Sequence, residues 1–297
     1  MTPQSHRVAV GESGVEIRVL DWGGDGPLAL LHHANGFCAA TWGLVAARLT
    51  PRWRVLAVDV RGHGDSSRPP GDAAYDWQEL TRDWLAVSRW ALRRFDQSTF
   101  DLVVGNSLGG AVSLLAAAER PEWYRRLVLL DPVVVPAGAG LSEKVAAAPQ
   151  PASGEAMPPL AIAEQARRRR QIWPSRIAAA EAWRDKPMFA NWEARAFEFY
   201  LEHGLRDRED GRVELSCSGR VEAAIFEHTG RADVMGAARS VSAPTWVVRA
   251  GRGYFPTVMF ENLCQDLEAG RFLELDAGHL MPMETPGLVA DLLLSQP

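Results

Sequence analysis

Val103–Gly110 reads VVGNSLGG and carries the sharpest structural signal in this chain. It places a Gly-x-Ser-x-Gly pattern centred on Ser107 between an apolar run, which predicts a strand, and a helical run over residues 111–120. A tight turn from strand to helix holds such a serine with its hydroxyl exposed, and the two glycines let neighbouring backbone approach closely. The helix behind it directs N–H groups and the positive end of its dipole at developing negative charge. The pattern therefore predicts a nucleophilic serine.

Similar apolar runs recur on both sides of this motif and predict a parallel sheet. Runs that are apolar at every position are typical of strands covered by helices on both faces. Helical patterns separate them, and one begins at Asp76 with Glu79 three residues later, which is a capping-box-like start. The alternation predicts an α/β doubly wound sheet with an antiparallel hairpin before it. The hairpin strands are Val8–Val10 and Val15–Leu20, and the apolar runs are Leu28–Leu31, Val55–Val58, Leu102–Val104, Leu127–Leu130, Thr245–Val248 and Phe272–Leu275.

The alternation of strand and helix fails over residues 136–239. This stretch opens with a linker rich in proline and small residues and continues with helix-like segments rich in Arg and Trp. About 100 residues is an ordinary size for an inserted unit. We therefore predict a core formed by residues 1–135 and 240–297, interrupted by a helical cap at 136–239.

Three further motifs, together with the serine motif, indicate a resemblance to a known family. They read LHHANGF at residues 31–37, DVRGHGDS at 59–66 and AGH at 277–279. With these motifs the chain resembles α/β-hydrolases of the esterase/lipase type that carry a helical cap. The resemblance implies the α/β-hydrolase fold, with the cap inserted into a mostly parallel doubly wound sheet. It also implies serine hydrolase chemistry that needs no cofactor.

A serine hydroxyl needs a base such as imidazole, and His279 is the candidate. It follows the last apolar run, and the order of serine before histidine matches the hydrolase order of Ser, Asp or Glu, then His. For the histidines in the other motifs, the resemblance implies roles in shaping loops. These are His32, His33 and His63, while His6, His203 and His228 lie in the N-terminal segment and the insertion.

The catalytic acid departs from the commonest pattern of the family. Many relatives carry it after the penultimate strand, but this chain has Tyr254 at that position and no carboxylate nearby. The family's second solution puts the acid at the end of the strand after the nucleophile helix, where this chain has Asp131. Asp131 could alternatively be only the start of an Asp-Pro turn. Asp276 is a poorer rival, because it lies three residues before His279 in the same loop.

An oxyanion hole needs two N–H donors. One is expected from the backbone of Leu108, the residue after the nucleophile. Alignment with the family's first loop puts the backbone of Asn35 at the second donor position, and its side chain could add a third donor. The alternative is that Asn35 is a turn residue before Gly36.

The insertion is rich in aromatic residues that could roof an apolar pocket. The alternative is that most of them form the core of the cap. Arg167–Arg170 is typically a solvated helix face, with an anionic substrate such as a CoA thioester as the other interpretation. The aromatics are Trp173, Trp183, Phe189, Trp192, Phe197, Phe199 and Tyr200, and the pocket candidates are His33, Phe37, Trp173, Trp192 and Tyr254.

These residues predict a serine hydrolase that cleaves a carboxylic ester of a fairly hydrophobic small molecule through an acyl-enzyme. Four alternatives remain open: a lactonase, including one for acyl-homoserine lactones, a carbon–carbon hydrolase of ring-cleavage products, a cofactor-free oxygenase and a ligand receptor. A dehalogenase or an epoxide hydrolase is disfavoured, because those relatives carry Asp where this chain has Ser107.

Composition bounds the partners of the chain. Its 297 residues are 47% apolar and 23% charged, as in ordinary globular proteins. The basic residues are 30 Arg and two Lys for a net charge of −5, which argues against nucleic-acid binding. We find no membrane span and no signal peptide, and expect a cytoplasmic protein. The three cysteines lack zinc-site spacing, so no metal is expected. The expected partner is a small-molecule ester, and a homodimer is left open.

Overall fold

The computed structural model describes residues 2–11, 14–135 and 159–295, with the side chains of residues 159 and 160 excepted. The linker predicted at the start of the cap lies outside these residues. Eleven strands are present in the described part. They are β1 (Gln4–Val10), β2 (Val15–Asp21), β3 (Leu28–His32), β4 (Arg54–Val58), β5 (Leu102–Asn106), β6 (Leu127–Leu130), β7 (Ile172–Trp173), β8 (Leu205–Asp207), β9 (Val213–Leu215), β10 (Thr245–Ala250) and β11 (Gly270–Leu275).

Eight of the strands form one sheet in the order β1-β2-β4-β3-β5-β6-β10-β11. The strands from β4 to β11 in this order are parallel, whereas β1 and β2 form an antiparallel hairpin that pairs with β4 through β2. This arrangement confirms the predicted fold, including the N-terminal hairpin and the mostly parallel sheet.

Helices cover both faces of the sheet, and five of those in the described residues lie within the predicted cap. They are α1 (Gly43–Leu49), α2 (Trp77–Arg94), α3 (Leu108–Glu119), α4 (Pro159–Arg167), α5 (Arg176–Trp183), α6 (Ala194–His203), α7 (Gly219–Glu227), α8 (Val234–Ala238), α9 (Thr257–Asp266), α10 (Met281–Glu284) and α11 (Pro286–Ser295). Short 3₁₀ turns lie at Ala39–Trp42, Asp72–Tyr75 and Pro121–Trp123.

Period-2 side-chain alternation explains why the central strands are apolar throughout. In β3, Leu28 and Leu30 pack into the hydrophobic cluster that includes α2, α3 and α9, whereas Ala29 and Leu31 pack into the cluster that includes α1 and α11. Successive side chains of a strand point to opposite faces, so a strand between two helix layers must be apolar at every position. The carboxyl ends of these strands then share one edge of the sheet, where the serine motif lies.

The predicted start of α2 is only half formed as a capping box. The Asp76 carboxylate accepts a hydrogen bond from the Gln78 N–H at 2.9 Å, as an N-cap residue does. The Glu79 side chain, however, pairs with Arg82 and does not reach back to the Asp76 N–H, which donates to Ala73. The helix therefore starts where predicted, with one of the two reciprocal bonds.

The insertion contains a small sheet as well as helices. Strands β7, β9 and β8, which lie between α4 and α7 in chain order, form a three-stranded antiparallel sheet. The prediction of a helical cap did not include this sheet. Asp210-Gly211 is a hairpin-turn signal, and Gly211 has the positive φ of 77° that such turns need. Helix α6 packs on α1 and α10 of the core, whereas α8 packs on α3 and α9. The boundaries 136 and 239 stay a prediction.

Two global features follow from the elements. In the part of the chain that the structure describes, no helix has the length and apolarity needed to cross a bilayer. The three cysteines form no disulfide: Cys38 and Cys217 are buried, and Cys264 is half-buried. Burial raises the pKa of each thiol.

Candidate active site

Ser107 occupies a strained turn between β5 and α3. Its φ of 57° and ψ of −117° lie in a region that L-residues rarely adopt. The turn is held because the Ser107 N–H donates to the Leu130 carbonyl at 2.9 Å. A side chain at Gly105 would collide with the Gly109 backbone, and one at Gly109 would collide with His32. The two glycines of the motif are therefore required by close backbone packing, as predicted.

The predicted serine, base and acid lie in one hydrogen-bonded chain. His279 Nε2 lies 3.0 Å from Ser107 Oγ, and His279 Nδ1 lies 2.6 Å from Asp131 Oδ2. The Asp131 side chain is fully buried, whereas the His279 side chain is 18% exposed. A Nδ1–H donor to the carboxylate leaves Nε2 unprotonated, which is the tautomer that can accept the serine proton.

Asp131 is fixed by the neighbouring strand β10. Its N–H donates to the Val248 carbonyl at 2.7 Å, and its Oδ1 accepts from the Ala250 N–H at 2.9 Å. Its φ of 44° is positive, a conformation that Asp and Asn tolerate better than most residues. The second carboxylate oxygen is thus left pointing at His279.

The loop after β10, where many relatives carry the acid, makes room for Asp131. A methyl group added at Gly253 would lie 3.0 Å from Asp131 Oδ2, so glycine at this position keeps the space open. Tyr254, which stands in the usual acid position, is 51% exposed, and its ring lies 6.1 Å from the His279 ring. Asp276, the rival carboxylate, is exposed and pairs with Arg252.

The loop that carries His279 has two anchors that sequence reasoning missed. The Glu284 carboxylate accepts from the Gly278 N–H at 3.0 Å and from the Leu280 N–H at 3.1 Å, on either side of the base. Asn106 Nδ2 donates to the His279 carbonyl at 3.0 Å. Asn106 stands at a variable position of the serine motif, and Glu284 falls in no periodic pattern. Neither role could be found without the three-dimensional contacts.

The two predicted oxyanion donors have unequal support. Leu108 is the first residue of α3, so its N–H has no acceptor within the helix. No acceptor for the Asn35 N–H is found among the described residues. The Asn35 side chain, expected as a third donor, instead donates to the main-chain oxygen of Glu222 in the cap at 2.9 Å. The side chain therefore serves the cap contact.

His33 was predicted to line the pocket, but it is buried and engaged on both ring nitrogens. Its Nε2 accepts from the Val60 N–H at 3.1 Å, and its Nδ1 lies 2.8 Å from the Ala34 carbonyl. Burial lowers the pKa of His33, which keeps the ring neutral and able to accept. His33 thus joins two loops, the role that the resemblance implied for it.

The aromatic pocket candidates of the cap pack on one another. The Phe37 ring lies 5.4 Å from Trp192 and 5.3 Å from Tyr200, and Trp173 lies 5.4 Å from Trp183. Phe37, Trp173 and Trp192 are all less than 9% exposed. These contacts agree with the alternative that most of the aromatics form the core of the cap, which here includes Phe37 from the core domain.

Every arginine of Arg167–Arg170 has an internal partner. Arg167 and Arg168 pair with Glu227 and Glu164, and Arg169 pairs with Glu222. Arg170 Nε donates to the Ile172 carbonyl, and its guanidinium stacks on Trp173 at 4.3 Å. Three of the four cations are thus paired with carboxylates, and Arg170 is engaged by a carbonyl and an aromatic ring, which argues against the tract as a site for the phosphates of a CoA thioester.

Two surface cavities lie away from the triad. One of about 340 Å³ is lined by Arg7, Arg68 and Arg206, and one of about 490 Å³ lies between β1 and α2. Ser107 itself is 7% exposed. Among the described residues, no group of three His, Cys, Asp or Glu side chains is arranged to hold a metal ion.

Relatives of known name support a hydrolase. The chain is 27% identical over 284 residues to the lipase LipV of Mycobacterium tuberculosis. This match covers 95% of this chain and 98% of that protein. It is 38% identical over 121 residues to 2-hydroxymuconate semialdehyde hydrolase of Pseudomonas sp. strain CF600, covering 40% of each. For this and several other curated relatives, the match spans only 30% to 43% of the relative's length.

A solved structure and a family profile agree with the fold. The crystal structure of E-2-(acetamidomethylene)succinate hydrolase matches with a TM-score of 0.78 at 23% identity, over 98% of this chain and 97% of that one. The sequence profile described as the alpha/beta hydrolase family matches residues 29–292, which is most of the chain. The chain therefore belongs to the alpha/beta hydrolase family.

Proposed function

We propose that this chain is a cofactor-free serine hydrolase that cleaves a carboxylic ester of a fairly hydrophobic small molecule through an acyl-enzyme. The observation that carries the proposal is the chain of hydrogen bonds from Ser107 through His279 to Asp131, at 3.0 Å and 2.6 Å. Each member has the atom needed for its step within reach.

In the acylation half, Ser107 Oγ attacks the ester carbonyl carbon while His279 Nε2 takes the serine proton. The negative charge of the tetrahedral intermediate falls on the former carbonyl oxygen, where the N–H groups of Leu108 and Asn35 stabilise it. Buried Asp131 accepts the Nδ1–H bond and stabilises the imidazolium that forms. The imidazolium then protonates the departing alkoxide.

In the deacylation half, water replaces the alcohol. His279 Nε2 removes a proton from the water as it attacks the acyl carbonyl, and the second tetrahedral intermediate forms against the same donors. Collapse breaks the acyl–oxygen bond to Ser107 and returns the proton to the serine. The products are a carboxylic acid and an alcohol, and no redox step or cofactor takes part.

The substrate proposal rests on the aromatic surroundings of the first loop. Phe37 follows the Asn35 donor by two residues and packs on Trp192 and Tyr200, so the protein interior next to the donor is apolar and aromatic. Because an apolar environment disfavours an unpaired charge, these surroundings favour a hydrophobic acyl or alcohol group over a charged one. We propose a small-molecule ester as the partner and no nucleic acid, since the net charge is −5.

A carbon–carbon hydrolase is the second candidate. The local similarity to 2-hydroxymuconate semialdehyde hydrolase, which includes 40% of this chain, favours it. The engaged arginines of Arg167–Arg170 count against a strongly anionic substrate at that tract.

A substrate panel tests the proposal. Values of kcat/KM would be measured for p-nitrophenyl butyrate, an acyl-homoserine lactone and a ring-cleavage dienoate. We expect the ester to give the highest kcat/KM. A higher value for the lactone or the dienoate would overturn the ester assignment, and binding without turnover of any of the three would favour the receptor alternative.

A further inference from the structure

The loop that carries the second oxyanion donor, Asn35-Gly36, is held from two sides. From the core, the Gly36 N–H donates to His63 Nε2 at 2.9 Å. From the cap, the Tyr200 hydroxyl in α6 donates to the Gly36 carbonyl at 3.2 Å, and Asn35 Nδ2 donates to the main-chain oxygen of Glu222 in α7 at 2.9 Å. His63 Nε2 also lies 3.2 Å from Asn35 Oδ1, so the core holds the loop through His63 and the cap holds it through Tyr200 and Glu222.

The two cap elements are joined by a half-buried charged group. Arg169 pairs with the Glu222 carboxylate and donates from Nη2 to the Tyr200 hydroxyl at 3.3 Å. Burial disfavours the charge on Arg169, but Glu222 and Tyr200 outweigh this and raise its pKa. Burial raises the pKa of Tyr200 to about 12, so its hydroxyl keeps the proton that it donates to Gly36. We call Arg169, Glu222 and Tyr200 the cap cluster.

The cap cluster packs directly on the loop. Gly36 has a φ of 86°, and a methyl group added there would lie 2.8 Å from Glu222 Oε1. A glycine at this position is free to move unless its surroundings hold it. An oxyanion donor must be held at about 2.7–3.1 Å from the oxyanion. The Asn35 N–H can therefore act as a donor only if this loop is held in position.

From this geometry we infer that the cap cluster positions the Asn35 N–H, so that the oxyanion hole is complete only when the cap is docked on the core. The inference rests on the proposed function and deepens it. Arg169, Glu222 and Tyr200 act through the Asn35-Gly36 loop and are positioning residues. The cap thereby contributes to the rate of the chemical step as well as to the choice of substrate.

Tyr200→Phe is the sharpest test, because it removes one oxygen and leaves the ring packed. The matched control is Tyr124→Phe, since Tyr124 is also buried but its hydroxyl meets Ser88 Oγ, at 3.1 Å, far from the triad loops in the fold. The rate of labelling by a fluorophosphonate probe would be measured for both variants, wild type and Ser107→Ala. Phosphonylation places negative charge in the oxyanion hole and requires no knowledge of the natural substrate.

We expect labelling of Tyr200→Phe to be about tenfold slower than that of wild type, with Tyr124→Phe within about twofold. For a p-nitrophenyl ester, kcat should fall while KM stays nearly constant, because the ground-state ester makes little use of the donor. Melting temperatures of the two variants should be similar.

Three outcomes overturn the inference, and they are distinguishable. If wild type is labelled at Ser107 and Tyr200→Phe is labelled equally fast, the positioning role is wrong and the proposed function stands. If wild type is not labelled at Ser107, the proposed nucleophile fails, and the inference falls with it. Equal slowing in both tyrosine variants would indicate a general loss of packing and would also overturn it.

Glu222→Gln provides a second variant. It keeps the main-chain oxygen that accepts from Asn35 but removes the charge that pairs with Arg169. We expect slower labelling and an unchanged KM here too. Labelling at the wild-type rate would show that Arg169 and the Glu222 carboxylate have no part in positioning the loop.

Discussion

Asp131, the proposed catalytic acid, is held in place by the strand next to its own. It comes from β6, and β10 holds it through the Val248 carbonyl and the Ala250 N–H. Gly253 leaves the space that its carboxylate fills. The loop after β10 therefore supports a carboxylate that comes from the neighbouring strand.

Asp131→Asn should lower kcat by up to ~10⁴-fold, because the amide favours the wrong tautomer of His279. The fold should be kept, since Asn tolerates the positive φ of 44° at this position. Steady-state ester hydrolysis checks the rate, and Asp276→Asn is the control because Asp276 is exposed. A small effect of Asp131→Asn with a large effect of Asp276→Asn would reassign the acid.

The backbone at Ser107 makes a separate prediction about stability. With φ at 57° and ψ at −117°, Ser107→Gly should be more stable than Ser107→Ala by about 1 kcal/mol in free energy of unfolding. The order should reverse at Ser113 inside α3, where Gly costs about 1 kcal/mol relative to Ala. Urea unfolding of the four variants checks both orders, and the same order at both positions would argue against strain at the turn.

Among the elements, the central strands could be predicted and the small cap sheet could not. Leu127–Leu130 is apolar at every position because helices cover both faces of β6, and this leaves an unambiguous pattern. The strands Leu205–Asp207 and Val213–Leu215 have only three residues each, which is too few to show the alternation of apolar and polar residues that predicts a strand. The turn residues Asp210-Gly211 are the one sequence signal for this hairpin.

The candidate site likewise has residues that could be predicted from the sequence and residues that could not. Ser107, His279 and Asp131 follow strand ends, so their chain order and the sheet's parallel pairing suggested that they converge. Tyr200 contacts the main chain of Gly36, which is 164 residues away, and Glu284 contacts the N–H groups of Gly278 and Leu280, which are six and four residues before it. Any residue type can supply a main-chain atom, so the sequence does not reveal these contacts.

The loop between β11 and α10 gives a prediction for an element end. Glu284→Gln can accept only one of the N–H groups of Gly278 and Leu280, since its amide nitrogen opposes the other. An N–H donor left without an acceptor costs about 1–3 kcal/mol of stability. The loop avoids part of this cost by moving, and His279 then loses its fixed position. We expect kcat to fall about tenfold. Exposed Glu261→Gln in α9 is the control, and an unchanged kcat for Glu284→Gln would remove its positioning role.

For the whole molecule, three buried neutral histidines beneath the first loops link folding to pH. Burial lowers the pKa of His32 to about 3 from 6.5 and lowers those of His33 and His63. His63 must stay unprotonated at Nε2 to accept from the Gly36 N–H. The folded protein therefore binds fewer protons than the unfolded chain below pH 6.5.

The free energy of unfolding should consequently fall as the pH drops below 6.5, by up to about 1.4 kcal/mol per pH unit for each of these histidines that stays neutral in the folded protein. Urea unfolding at pH 7.5, 6.5 and 5.5 measures the slope. His32→Gln removes the contribution of His32 to this pH dependence, so its free energy of unfolding should change less between pH 6.5 and 5.5 than that of wild type. Identical slopes for wild type and His32→Gln would mean that His32 does not titrate with unfolding.

The expectations about reaction rates depend on Ser107 as the nucleophile. Multiple-turnover hydrolysis of p-nitrophenyl butyrate by wild type and by Ser107→Ala, with the folded state of both checked by thermal unfolding, decides the matter. We predict that Ser107→Ala loses about 10⁴-fold or more in kcat. A Ser107→Ala variant that is folded and hydrolyses the ester at the wild-type rate would refute the proposed mechanism.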